Sequence, residues 1–128
     1  MYKEYNPNPL GIQGNDCVVR ALTKVLDKPW DQVYVDLCLQ GFGMAIMPSS
    51  NIVHKAYLEQ YGYYLYPIPS KCPNCITVKE FSKLYPKGRY VLATGDHVVA
   101  LVDGDYFDSF DSSNEIVSYI FTRKETNH

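Results

Sequence analysis

Three residues of this 128-residue chain have side chains suited together to acyl transfer: Cys17, His97 and Asp108. Cys17 falls where the residue spacing starts a helix, and a helix N-terminus presents about half a positive charge that favours thiolate over thiol. Thiolate is the nucleophilic form. A cysteine is more often core filler than reagent, but residues 11–17, Gly-Ile-Gln-Gly-Asn-Asp-Cys, are polar and turn-rich, a poor setting for core packing. His97 follows Thr94-Gly95-Asp96 and opens the apolar run Val98–Val102, so it sits at a strand end, within reach of a cleft.

The relation between His97 and Asp108 follows from one turn. Asp103-Gly104 separates two strand-like runs, and both residue types tolerate the positive φ that a two-residue hairpin needs. That turn pairs Val102 with Asp105, hence Val99 with Asp108 and His97 with Phe110. Paired and alternate residues share a face, so His97 and Asp108 become diagonal neighbours. A carboxylate there can accept the imidazole N–H, fix its tautomer and stabilise imidazolium. A three-residue turn would shift the register and bring Asp111 to that face instead, so Asp111 is the fallback orienter.

The elements that must hold these groups fall in two halves. Residues 1–14, rich in Asn, Pro and Gly, read as an extended lead-in. The first helix starts at Asp16 or Cys17, with the Asp16 carboxylate as its cap and Val19, Leu22, Val25 and Leu26 as its buried stripe. A second helix from Pro29 carries Trp30, Val33, Tyr34 and Leu37 inward and stops at Gly41-Phe42-Gly43. A third is capped by Ser49 or Ser50 and buries Ile52, Val53, Ala56 and Tyr57, with His54 beside that stripe as a structural histidine. Thr77 and Glu80 form a capping box for a short fourth helix, with Phe81 and Leu84 inward. Strands are expected at Arg89–Ala93, His97–Val102, Tyr106–Phe110 and Glu115–Phe121. Helices first and sheet second indicate a single α+β domain over residues 1–128.

Composition sets the outer limits. Hydrophobic residues make up 46% and charged residues 20%, as in a folded globular protein. The net charge of −2 argues against a general nucleic-acid binder. The apolar runs are too short to span a bilayer, and the first residues lack a signal-type apolar core. The expected compartment is a reducing cytoplasm, where the four cysteines are read as thiols.

With these residues in place, the chain resembles the papain-like cysteine peptidases. Gln13-Gly14 precedes Cys17, a helix follows, and a late His-Val-Val-Ala strand is followed by Asp108-Ser109-Phe110, similar to the Gln-Gly and Asn-Ser-Trp stretches of papain-type enzymes. In size and in its Asp partner it is more similar to compact bacterial and phage members such as bacteriocin-leader peptidases. The resemblance implies a helical part carrying the Cys helix, packed on a small C-terminal antiparallel sheet. It implies Cys17 as nucleophile, His97 as general base and later acid, Asp108 as orienter, and Gln13 as an oxyanion donor with the Cys17 N–H. Gln13 stands closer to Cys17 than its papain counterpart does, so Asn15 is the alternative donor. Val18 replaces the bulky aromatic residue of papain. No metal or organic cofactor is required, and the partner is a protein or peptide substrate; nothing in the sequence sets an oligomeric state.

The same apparatus serves amidases, deamidases and transglutaminase-like acyl transferases, and a non-catalytic protein-binding module on the same fold is the alternative from another class. Cys72-Pro73-Asn74-Cys75 supplies only two potential zinc ligands, and Cys38, His54 and His128 have no supporting spacing. It is read as loop, with a zinc-stabilised interaction domain or a redox pair as lesser readings. The tyrosines at 57, 61, 63, 64 and 66 read as a half-buried strand with neighbouring helix residues, and residues 41–50 are placed beside the substrate cleft.

Overall fold

The computed structural model describes residues 1–12, 16–69 and 71–123. Among them, in order, are β1 (Tyr2–Glu4), α1 (Cys17–Leu26), α2 (Trp30–Met44), α3 (Asn51–Gln60), β2 (Tyr63–Pro67), α4 (Val78–Leu84), β3 (Arg89–Ala93), β4 (Val98–Val102), β5 (Asp105–Asp108) and β6 (Tyr119–Arg123). The class is α+β. The strands form one sheet in the order β1-β5-β4-β3-β6-β2. All pairings are antiparallel except β1 with β5.

The sheet is therefore neither confined to the C-terminal part nor wholly antiparallel. Part of the expected lead-in becomes β1, pairing Tyr2 with Tyr106 and Glu4 with Asp108. It satisfies backbone groups that β5 would otherwise leave open at a sheet edge. The tyrosine-rich run supplies β2 at the other edge, paired with β6.

Alternating side chains divide the interior in two. Val91, Ala100 and Phe121 pack with Leu22, Val25, Val33, Val53 and Leu58 from the first three helices. Leu92, Val99, Leu101 and Tyr106 face the other way, onto Val78, Phe81 and Val117. The helices seal one face, and α4 with the chain around Val117 seals the other.

Local differences from the expected elements have identifiable causes. Helix α2 runs through Gly41 to Met44 and ends at Ala45 with φ 57°. Gly41 is required by packing, because a Cβ there would lie 2.6 Å from the Ile46 carbonyl oxygen as the chain folds back. Tyr34 and Ile52, placed inward by spacing, are about half exposed; Tyr34 stacks on Trp30 with ring centroids 5.2 Å apart. Leu84 is exposed, and Val78 takes the inward place on α4 beside Phe81. Asp16 does not cap α1 with its side chain.

The expected caps of α3 and α4 are present. Ser50 Oγ accepts from Ile52 N at 3.2 Å. Thr77 Oγ1 accepts from Glu80 N at 3.1 Å, and Glu80 Oε1 accepts from Thr77 N at 2.9 Å. Thr77→Ala removes the hydroxyl acceptor and is expected to cost about 1 kcal/mol, read as a lower urea midpoint with an unchanged slope.

Candidate active site

The site lies where the end of the sheet meets the start of α1. The hairpin that sets it has Asp103 at φ 49° and Gly104 at φ 86°, and it pairs Val102 with Asp105, Leu101 with Tyr106 and Ala100 with Phe107. The two-residue turn therefore fixes the expected register. His97 stands just before β4, and Asp108 is the last residue of β5. His97 Nε2 lies 2.6 Å from Asp108 Oδ2. The Phe110 ring packs against the imidazole at 4.9 Å between centroids. The fallback orienter Asp111 is not involved: its carboxylate caps a turn by accepting from the N–H and hydroxyl of Ser113.

Cys17, the first residue of α1, is a partly buried free thiol hydrogen-bonded to the His97 side chain. Since Nε2 is committed to Asp108, Nδ1 is the nitrogen that serves the sulfur. Burial alone pushes the thiol pKa up. The His97 hydrogen bond, the Val98 backbone N–H and the charges of His97 and Arg20 outweigh it, so the net shift is down. For His97, burial acts downward, but the hydrogen bonds and charges of Asp108 and Cys17 push it up to about 9. Both shifts favour the thiolate–imidazolium form of the couple, with Nε2–H donating to Asp108.

Asp108 is fully buried. Its Oδ1 accepts from Arg20 Nη2 at 3.1 Å and from the Ser109 N–H at 2.8 Å. Arg20, itself only 3% exposed, also donates through Nη1 to Asp16 Oδ1 at 3.0 Å. Asp16 Oδ2 accepts from Trp30 Nε1 at 3.0 Å. This arrangement replaces the expected cap: the Asp16 carboxylate is turned from the helix end to a buried cation one turn along. The first N–H groups of α1 thus keep no side-chain partner from Asp16.

Sequence reasoning missed Arg20. The available signal was local: Asp16 and Arg20 stand at i and i+4, and Arg20 lies one turn from Cys17 on the same side of the helix. The oxyanion candidates Gln13 and Asn15 lie outside the described residues, as does His128.

A cleft of about 1100 Å³ opens over Cys17 and His97. Met47, Pro48 and Ser49 line it, as expected for residues 41–50, together with Tyr34, Cys38 and Glu115. His54 is buried, and its ring is hydrogen-bonded to the Pro48 backbone; burial lowers its pKa more than that bond raises it. It pins the cleft rim to α3 as a neutral ring.

The reading of all four cysteines as thiols is corrected. Cys72 and Cys75 form a disulfide, their Cα atoms 4.5 Å apart across a tight turn, and Cys17 and Cys38 are free. Closure of that turn brings the two sulfurs within bonding range and removes them as thiolate ligands. Among the described residues no group of three or more His, Cys, Asp or Glu is arranged to hold a metal, and no helix is long and apolar enough to cross a membrane. Comparison with protein-family models, curated proteins and solved structures gives no match for this chain.

Proposed function

We propose that this protein is a papain-like, thiol-dependent hydrolase that cleaves a peptide or isopeptide bond through Cys17, His97 and Asp108. The observation that carries the proposal is the unbroken contact from a helix-end sulfur through an imidazole to a buried carboxylate, opening on a cleft.

In this mechanism the Cys17 thiolate attacks the scissile carbonyl carbon. A C–S bond forms, and the carbonyl π electrons move to oxygen. The Cys17 N–H at the start of α1 is one donor for that oxyanion, and a donor of this kind is worth about 3 kcal/mol. Gln13 or Asn15 is assigned the second donor role. As the tetrahedral intermediate collapses, the C–N bond breaks and His97 Nδ1 gives its proton to the departing amine. The neutral imidazole then takes a proton from water, and the resulting hydroxide adds to the thioester. Collapse expels the thiolate, leaving imidazolium and a carboxylic acid product. Asp108 holds the ring throughout and stays ionised.

The direct test is alkylation by iodoacetamide across pH, with the labelled residue identified by mass spectrometry. Labelling of Cys17 is expected well below pH 8, because an unperturbed thiol ionises near pH 8.5, and Cys17→Ala should abolish both labelling and peptide hydrolysis. Ordinary thiol titration at Cys17, or hydrolysis that survives Cys17→Ala, would overturn the proposal.

A further inference from the structure

The walls of the cleft carry an imbalance of charge that the hydrolytic chemistry does not use. Among the described residues lining it, Arg20 is the only Lys or Arg, and its guanidinium is bonded to both Asp16 and Asp108. The lowered Cys17 thiol and the raised His97 imidazole favour a thiolate–imidazolium pair, which carries no net charge. Asp96 and Glu115 also line the cleft. Among the described lining residues three carboxylates, Asp16, Asp96 and Glu115, therefore stand against one guanidinium.

Glu115 differs from a solvated surface carboxylate. It is half-buried, and its Oε1 accepts from Thr94 Oγ1 at 2.6 Å. Thr94 is tied in turn to the reacting histidine, because its N–H donates to the His97 carbonyl at 2.8 Å. The carboxylate is thus held at a fixed place relative to His97. Val98, Phe110 and Tyr119 line the same cleft. An ordered carboxylate beside apolar and aromatic walls suits a side chain with a methylene stem and a cationic head.

We infer that the cleft selects a substrate carrying a lysine or arginine side chain next to the scissile carbonyl, with Glu115 as the specificity-determining residue. The inference rests on Cys17 being the attacking group, and it names the substrate class for that chemistry. An acidic substrate side chain would meet carboxylates, and among the described lining residues the one guanidinium is already bonded to Asp16 and Asp108. Asp96 is exposed, so solvent screens it, and it acts as a weaker, outer attraction.

The test reads charge preference at Cys17 with and without turnover. Rates of Cys17 modification by a cationic and an anionic methanethiosulfonate are measured on the intact protein, and fluorogenic peptides differing in one residue beside the cleaved bond are assayed in parallel. The cationic reagent is expected to react faster, and the preference should shrink as salt rises from about 0.01 M to about 1 M and the screening length falls. E115Q keeps an acceptor for Thr94 but loses the charge, so the cationic-to-anionic ratio should drop roughly fivefold. E115K should reverse the preference, and D96N should have the smaller effect. In the peptide assay E115Q should lose the preference for Lys or Arg over a neutral residue at that position.

An unchanged ratio in both E115Q and E115K overturns the inference. So does a loss of preference in D96N alone, or robust hydrolysis with no preference for basic peptides. Retained charge preference at Cys17 without hydrolysis of any peptide supports the charge selection and counts against the hydrolase proposal instead, so the two failures are distinguishable.

Discussion

Asp108→Asn is expected to slow peptide turnover by about three to four orders of magnitude while leaving the cleft largely intact. The change preserves side-chain volume but removes the charge that faces His97 Nε2 at 2.6 Å. His97 owes its elevation to about 9 to Asp108 and Cys17 acting against burial, so the ring pKa should fall in the variant. The Cys17 thiol is lowered partly by that same imidazolium, so its pKa should rise. The ion pair then exists over a narrower range, squeezed from both sides. In the unaltered protein the rate profile should rise as Cys17 ionises and decline near pH 9 as His97 loses the proton it gives to the leaving amine. Because the two groups titrate as a couple, these limits belong to the pair. In Asp108→Asn the alkaline limb should move to lower pH and the acid limb to higher pH. Asp111→Ala should move neither limb, since that carboxylate engages Ser113. A steady-state pH profile of the two variants separates the roles, and loss of activity confined to Asp111→Ala would reject the assignment.

Arg20→Met should be the most destabilising single change at the site. It removes the bonds at 3.0 Å to Asp16 and 3.1 Å to Asp108, and the second of those carboxylates is fully buried. Breaking a buried pair by removing one partner typically costs about 3–5 kcal/mol; here Asp108 keeps His97 and the Ser109 N–H but loses the charge facing Oδ1. A small domain has only about 5–15 kcal/mol in all, so the urea midpoint should fall steeply. The double variant Arg20→Met with Asp108→Asn should be markedly less destabilised than the two single effects added, since a neutral amide needs no counterion. Strict additivity in urea denaturation would show that the pair is not coupled. Arg20→Lys should recover part of the loss, because an ammonium retains charge but cannot present the planar fork that spans two carboxylates.

Much of the site was legible because two strong local signals pointed to one geometry. The Asp103-Gly104 turn determined which residues face each other across the hairpin, and that placed Asp108 beside His97 rather than Asp111. Cys17 at the opening of a helix was equally local, since apolar spacing marked where the helix begins. Arg20 was hidden because its second partner is 88 positions away. From the sequence alone, a single arginine on an amphipathic helix looks like part of a solvated face. The cap expected from Asp16 failed for the same reason, as a distant tertiary demand outcompeted a local preference. β1 spans three residues, too few to show a period, and it is a strand because β5 offers an open edge. Gly41 read as a stop signal, yet it sits within α2 to let the returning chain approach.

The pairing of β1 with β5 bears on how the reactive groups stay together. Residues 2–4 lie along the strand that ends in Asp108, and the Tyr5 N–H donates to the Asp108 carbonyl at 2.8 Å. The same stretch of backbone then leads to the turn of helix that carries the sulfur. Acid and sulfur are therefore linked by a second route, the β1–β5 hydrogen bonds followed by the backbone that runs from β1 to α1. A circular permutant opened between Pro7 and Gly11 would cut that link while retaining Cys17, His97 and Asp108. The placing of Cys17 against His97 and Asp108 would then depend on noncovalent docking alone, so the alignment of the three is partly a matter of connectivity.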